Sequence, residues 1–164
     1  MSSRTKSLLT TLTLLAILAA GAFLRFSYLR WDEFTYMHPD ERFLIWVTAD
    51  MRPVESLGAF FDTAASTLNP HNVGHTFFVY GTFPLFATRY LADALFDVPP
   101  GWQEIALTGR ALSALFDLGT VLLVYLTAAA LFRRRTALLA AAFYAFAVLP
   151  IQLSHFYKED TFLN

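Results

Sequence analysis

The chain contains no cysteine, which removes disulfides, thiolate metal sites and cysteine nucleophiles and leaves the redox compartment unmarked. Charge is scarce too: 15% of the 164 residues are Asp, Glu, Lys or Arg, and 12 basic against 13 acidic side chains give a net charge of −1. Nothing in that balance suggests nucleic acid as a partner, which would need a basic face. No internal repeat or low-complexity tract is present. What fills the chain instead is apolar. It is 56% hydrophobic, with a mean hydropathy of +0.47 and 17 Phe and 7 Tyr. Such a composition suits a lipid-embedded protein with aromatic belts at its interfaces.

Three apolar runs predict an all-α, polytopic membrane protein with three transmembrane helices. Ser7 to Leu24 carries no charge, follows Arg4 and Lys6 and precedes Arg25, and is just long enough for a span of ~17–25 residues. Its alternative is a cleavable signal peptide ending at Ala20-Gly21-Ala22, but the apolar run continues past that point. Ala111 to Phe132 is interrupted only by Asp117, and Thr136 to Tyr157 contains no Asp, Glu, Lys or Arg. With their flanks the spans cover about residues 7–29, 110–132 and 136–157. Pro150 is expected to kink the last of them near its outer end.

The stretch Thr76 to Phe96 is apolar but holds Gly81, Pro84, Arg89 and Asp93. Charge parity decides its status. Arg4 and Lys6 put the N-terminus inside, and the Arg133-Arg134-Arg135 link belongs inside as well. Both hold only if Thr76–Phe96 does not cross. It is therefore read as an interfacial helix in a large outer loop over about residues 30–108, with Arg89 and Asp93 paired at i,i+4. The expected location is the plasma membrane, multi-pass, with a cytoplasmic N-terminus. The abrupt finish at Thr161-Phe162-Leu163-Asn164 is read as a cut inside a larger membrane protein, the alternative being a small three-span protein; residues 1–164 are taken as the N-terminal part of one membrane domain.

The charged residues that remain fall into two groups. His38-Pro39-Asp40-Glu41-Arg42-Phe43 follows the first span, and Lys158-Glu159-Asp160 follows the third. Pro39 suits the first turn of a helix and Asp40 and Glu41 favour its N-terminus, so a helix running to Ala49 is expected; a plain helix start and a snorkelling Lys158 are the bland alternatives. In the chemical reading, a carboxylate partly removed from water accepts a proton from an attacking hydroxyl. A second acidic group positions it or helps to hold a divalent cation, and Arg42 and Lys158 meet the charge of a phosphate leaving group. His71 and His75 are spaced i,i+4, but Pro70 and Gly74 favour a loop and a third ligand is missing. His155 is expected to make an interfacial hydrogen bond. Asp117 lies two turns from Arg110, which suggests a packed, paired structural carboxylate as readily as an intramembrane functional one.

Pro39-Asp40-Glu41-x-Phe43, Tyr80-Gly81-Thr82-Phe83-Pro84, Gly109-Arg110-Ala111-Leu112-Ser113-Ala114-Leu115-Phe116-Asp117, the arginine turn and Gln152-Leu153-Ser154-His155-Phe156-Tyr157 leading to Asp160 occur in that order. The series resembles the glycosyltransferase C superfamily, in particular the protein O-mannosyltransferase and aminoarabinose transferase-like family, over residues 8 to 164. The resemblance implies inverting sugar transfer from a polyprenyl-phosphate donor on the extracytoplasmic face. It implies Asp40 as the catalytic acidic residue, Glu41 beside it and Asp160 facing the same cavity. On their own chemistry and position, His38, Arg42 and Lys158 are taken as substrate-binding residues. A divalent cation is the one candidate cofactor, and the metal ligands, sugar and acceptor are not identified by sequence. Family members run to many more spans, so this segment alone is expected to be inactive. Two other readings compete: a transporter or flippase segment centred on Asp117, and a non-catalytic membrane assembly subunit.

The parity reading predicts that a cysteine introduced by Asp93→Cys reacts with a membrane-impermeant thiol reagent added outside intact cells, and one introduced by Arg134→Cys only after permeabilisation. The reverse sidedness, or labelling of both from one side, overturns it.

Overall fold

The computed structural model describes residues 2–163; Met1 and Asn164, which close the two ends of the expected domain, lie outside the described residues. Every regular element among the described residues is helical. In chain order these are α1 (Ser3–Phe26), α2 (Pro39–Asp50), α3 (Leu57–Phe61), α4 (Phe83–Leu95), α5 (Trp102–Leu131), α6 (Arg134–Ala145) and α7 (Val148–Ser154), with short 3-10 turns at Pro70–Val73 and Glu159–Phe162. Two helices, α1 and α5, are long and apolar enough to cross a membrane, and the bent pair α6 and α7 would make a third span if taken as one.

The chain forms two compact units. One, the helix unit, comprises residues 1–28, 113–155 and 160–164; the other, the loop unit, comprises residues 29–112 and 156–159. Helix α5 contributes its turns before Ser113 to the loop unit and the remainder to the helix unit.

In the helix unit, α1 starts where the Ser2 hydroxyl accepts the Thr5 amide at 3.2 Å. Its partner α6 presents Ala137, Ala141 and Ala145, all fully buried. Spaced four apart, they line one helix face, and small residues there let the backbones approach closely. Ala141 and Ala145 join Ile17 of α1 and Val121 of α5 in the unit's core. The third apolar run is not the single helix expected. It breaks after Ala145 and resumes at Val148, bent by 55°. Pro150 explains the position. It has no N–H to offer the Phe146 carbonyl four residues back, and its ring collides with that carbonyl, so the sequence-expected kink takes the form of a break.

The helix unit also buries charge. Arg25 donates from Nε to Asp117, and from Nη1 to the Gly21 and Ala145 carbonyls at 3.2 and 2.9 Å. Tyr144 donates to the other Asp117 oxygen at 2.8 Å. Asp117 is thus a paired structural carboxylate, but its cation is Arg25 of α1 and not Arg110, whose side chain is engaged elsewhere. Arg25 Nη2 is buried with no partner among the described residues.

In the loop unit, α2 begins as the sequence predicts. Pro39 occupies the first turn, Asp40 and Glu41 follow it, and the His38 ring Nδ1 accepts the Asp40 amide at 3.2 Å. The helix ends before Arg52-Pro53, because the residue preceding a proline disfavours helical backbone. It buries Glu41, Leu44, Ile45 and Thr48 along one face and packs on α4. There Arg89 clamps Asp93 with two bonds of 2.7 and 3.3 Å and caps the α2 C-terminus through the Ala49 carbonyl at 3.1 Å. The expected i,i+4 pair is present. Helix α4, at 13 residues, rises only ~20 Å and is too short to cross a bilayer; residues 76–80 before it are not helical. Helix α5 starts after Pro99-Pro100-Gly101, where Glu104 reaches back to the Gly101 amide at 2.9 Å, one half of a capping box.

Removing one partner of a buried ion pair typically costs ~3–5 kcal/mol. Arg25→Leu should therefore lower the stability of the detergent-solubilised protein by about that amount. Adding Asp117→Leu should restore much of it. The check is a double-mutant cycle on unfolding in a denaturing detergent, and additive losses from the two substitutions would contradict the pairing.

Candidate functional site

The acidic dipeptide Asp40-Glu41 lies in the first turn of α2, and its two carboxylates have different surroundings. Successive helical side chains diverge by ~100°. Glu41 points into the unit and is fully buried, whereas the Asp40 side chain is 43% exposed. Glu41 is saturated. Its Oε1 accepts from Arg110 Nε at 2.7 Å and from the Tyr157 amide at 2.9 Å, and its Oε2 accepts from Arg110 Nη2 at 2.9 Å.

Arg110, one turn before the point where α5 leaves the loop unit, is equally enclosed. It donates to both oxygens of Asp32 at 2.8 and 3.0 Å and to the Leu29 carbonyl at 2.7 Å. With the two bonds to Glu41, all five guanidinium N–H groups are used. This double fork is the firmest polar feature of the unit.

Asp32 in turn organises the loop before α2. Its oxygens accept the amides of Phe34 at 3.2 Å and Tyr36 at 2.9 Å. Phe34 and Tyr36 have φ of 61° and 51°, and Glu33 has 48°. Side-chain-bearing residues in this left-handed region store strain of ~1 kcal/mol each, and the two carboxylate bonds hold them there. Burial by itself would raise the Asp32 carboxyl. The Arg110 hydrogen bonds and charge, with the Tyr36 and Phe34 amides, outweigh it and hold that carboxyl below its usual range. Burial pushes the Tyr36 hydroxyl the other way, upward, so it stays protonated.

Around Asp40 the site is open. Lys158 Nζ lies 3.3 Å from Asp40 Oδ2, and His38 Nδ1 lies 4.0 Å from the same oxygen. The His38 ring packs on Phe156 at 4.9 Å. Beside them Pro39, Arg42, Phe43, Trp46 and Trp102 line a cleft of about 480 Å3. Arg42 is exposed, and Trp46 and Trp102 are 50% and 38% exposed. A planar cation and two indoles around one cleft supply the groups that recognise phosphate and the apolar face of a sugar ring.

Of the residues singled out from sequence, His38, Asp40, Glu41, Arg42 and Lys158 all belong to the loop unit, and Asp160 belongs to the helix unit, exposed in the 3-10 turn Glu159–Phe162. Asp160 is therefore not gathered with Asp40 in one compact unit. His71 and His75 part company. His71 is exposed in the Pro70–Val73 turn, Gly74 takes a left-handed φ of 97°, and His75 is buried with its Nε2 2.9 Å from Asp50. No group of three His, Asp or Glu side chains able to hold a metal occurs among the described residues. His155 closes α7, its Nδ1 bonded to the Ile151 carbonyl and its Nε2 to the Ser27 carbonyl at 2.8 Å.

Sequence reading missed Asp32, Arg110 and Tyr157 as parts of the site. Arg110 gave a signal, being a charge at the mouth of an apolar run. Tyr157 gave another through Gly109. A Cβ on Gly109 would collide with the Tyr157 ring, so the ring rests directly on the helix backbone, with its hydroxyl bonded to Thr48 at 3.0 Å and to the Pro84 carbonyl at 3.2 Å.

Because the Asp32 carboxyl is depressed in the folded chain, its contribution to stability is complete above the unfolded carboxylate value of ~4 and fades as pH falls through the lower folded value. Stability should thus drop in acid below about pH 4, and Asp32→Asn should lose ~3–5 kcal/mol at neutral pH together with part of that acid dependence. Denaturant titrations at pH 7 and pH 3 measure both. Comparison with known proteins identifies no relative: no protein-family model, curated protein or solved structure matches the chain.

Proposed function

We propose that the chain is the N-terminal part of an integral membrane glycosyltransferase that moves a sugar from a polyprenyl-phosphate donor to an acceptor on the extracytoplasmic face. The observation that carries this reading is the half-exposed Asp40 carboxylate, flanked by Lys158 and His38 and set beside an aromatic cleft with Arg42 on its wall. In the proposed reaction Asp40 takes the proton of the acceptor hydroxyl as its oxygen attacks the anomeric carbon. The bond to the donor phosphate breaks with inversion, and Lys158 and Arg42 meet the charge that builds on the departing polyprenyl phosphate. His38 holds the Asp40 amide and shapes the entrance. Glu41, being consumed by Arg110 and the Tyr157 amide, is assigned as a positioning residue that fixes the first turn of α2. Asp160 is kept as a further acidic residue on the ordered resemblance alone, and a divalent cation is kept as a candidate cofactor because neighbouring carboxylates are oxygen ligands for one.

The membrane arrangement proposed with it has three spans, the broken pair α6–α7 serving as the third. The N-terminus and the arginine link are cytoplasmic, and α4 lies at the outer interface of the plasma membrane. A transporter reading draws no support from Asp117, since Arg25 and Tyr144 already occupy both of its oxygens.

The test uses the full-length protein reconstituted in vesicles with polyprenyl-phosphate-linked sugars, reading release of polyprenyl phosphate. Asp40→Asn should reduce turnover by ~10²-fold or more with unchanged insertion and stability. Asp117→Asn measured at matched protein level should leave turnover intact. Undiminished turnover in Asp40→Asn removes Asp40 from the chemistry and the proposed mechanism with it.

A further inference from the structure

The helix unit carries a cation-lined cavity that the proposed reaction does not use. The first turns of α1, the link between α5 and α6, and the start of α6 enclose a cleft of about 430 Å3, lined by Lys6, Arg133, Arg134 and Arg135 together with Leu9 and Leu138. Four cations around one cleft repel each other, and no acidic side chain among the described residues pairs with them. No Asp or Glu occurs from residue 1 to 31 or from 118 to 158, and none of the four has an ion-pair partner among the described residues.

The donor pattern narrows what fits. Thr10 and Thr13 also line the cleft, but their hydroxyl protons are spent on the Lys6 and Leu9 carbonyls at 3.0 and 2.8 Å. Free donors come only from the basic side chains and from the first turn of α6, which has no side-chain cap. The complementary ligand is an anion rich in acceptors, which a phosphate satisfies through forked arginine contacts. Apolar surface accompanies the cations: Leu9 and Leu138 line the cleft, and their chain neighbours Leu8 and Leu139, with Leu12 on α1 and Phe132 before the arginines, are 52–63% exposed. A free ion would gain nothing from them, whereas acyl chains would cover them.

We propose that this cleft binds the phosphodiester headgroup of an anionic phospholipid, with its acyl chains along the exposed leucines of α1 and α6. Lysine and arginine gathered where helices enter an anionic leaflet attract such lipids. The inference uses none of the residues assigned to sugar transfer and stands or falls separately from that activity; it depends only on α1 crossing the membrane.

The experiment is native mass spectrometry of the full chain released from detergent, with phosphatidylglycerol and phosphatidylcholine as competing probes and inorganic phosphate as the competitor. Phosphatidylglycerol should be retained over phosphatidylcholine by about tenfold or more, and millimolar phosphate should not displace it. The triple variant Arg133→Gln, Arg134→Gln, Arg135→Gln should abolish the preference. Because that variant also weakens the orientation signal, Thr13→Phe provides the second arm: it fills the cleft with every charge kept, and should cut phosphatidylglycerol retention by a similar factor. Equal retention of the two lipids, displacement by inorganic phosphate, or full retention in Thr13→Phe would each overturn the proposal.

Discussion

The loop unit depends on one buried guanidinium. Arg110 has five N–H groups, and three residues from two segments accept all of them: Leu29, through its carbonyl, and Asp32 from the loop before α2, and Glu41 from α2 itself. A charge taken from water is costly unless every donor is met and the opposing charges are close. Here both conditions hold, so those two segments and α5 can neither drift nor exchange partners cheaply. The consequences spread along the chain. Asp32 holds residues with left-handed backbone, Glu41 anchors the Tyr157 amide, and Tyr157 seats its ring against Gly109. Arg25 in the helix unit is less complete, since Asp117 and two carbonyls leave its Nη2 without a partner among the described residues.

That arrangement gives the acidic dipeptide two distinct tasks. Adjacent residues on a helix cannot face the same way, and the fold uses the difference. Glu41 goes inward as part of the charge cluster, and Asp40 stays half exposed beside Lys158, His38 and the tryptophan-lined cleft. The proposed proton transfer would need a carboxylate with a fixed backbone and an open side chain. The buried neighbour fixes the backbone and leaves the Asp40 side chain open.

Much of the architecture was legible in the residues. Two apolar runs bounded by basic residues correspond to α1 and α5, and the proline in the third corresponds to the break between α6 and α7. Pro39 with two acidic residues opens α2, and Arg89 pairs with Asp93 four residues on. These features are local: hydrophobic length, a missing N–H and one-turn spacing operate within a few residues. The candidate site was legible only in part. His38, Asp40, Arg42 and Lys158 lie where a reactive group could be served, but Glu41 reads from sequence as Asp40's equal and Asp160 as its companion. The choice of partners for Arg110 and Arg25 was not legible either. Spacing along α5 suggested Arg110 for Asp117, and the chain instead matched each arginine to a carboxylate 69 to 92 residues away.

The sequence by itself determined that the protein is helical and lipid-compatible, where its helices begin and break, and that its charges cluster at the ends of apolar runs. Those properties follow from short-range hydrophobicity and backbone chemistry. Tertiary structure alone decided which charges are buried and which remain open. Burying an ion is favourable only when a specific partner from elsewhere in the chain arrives with the right geometry, and no local pattern encodes which partner that will be.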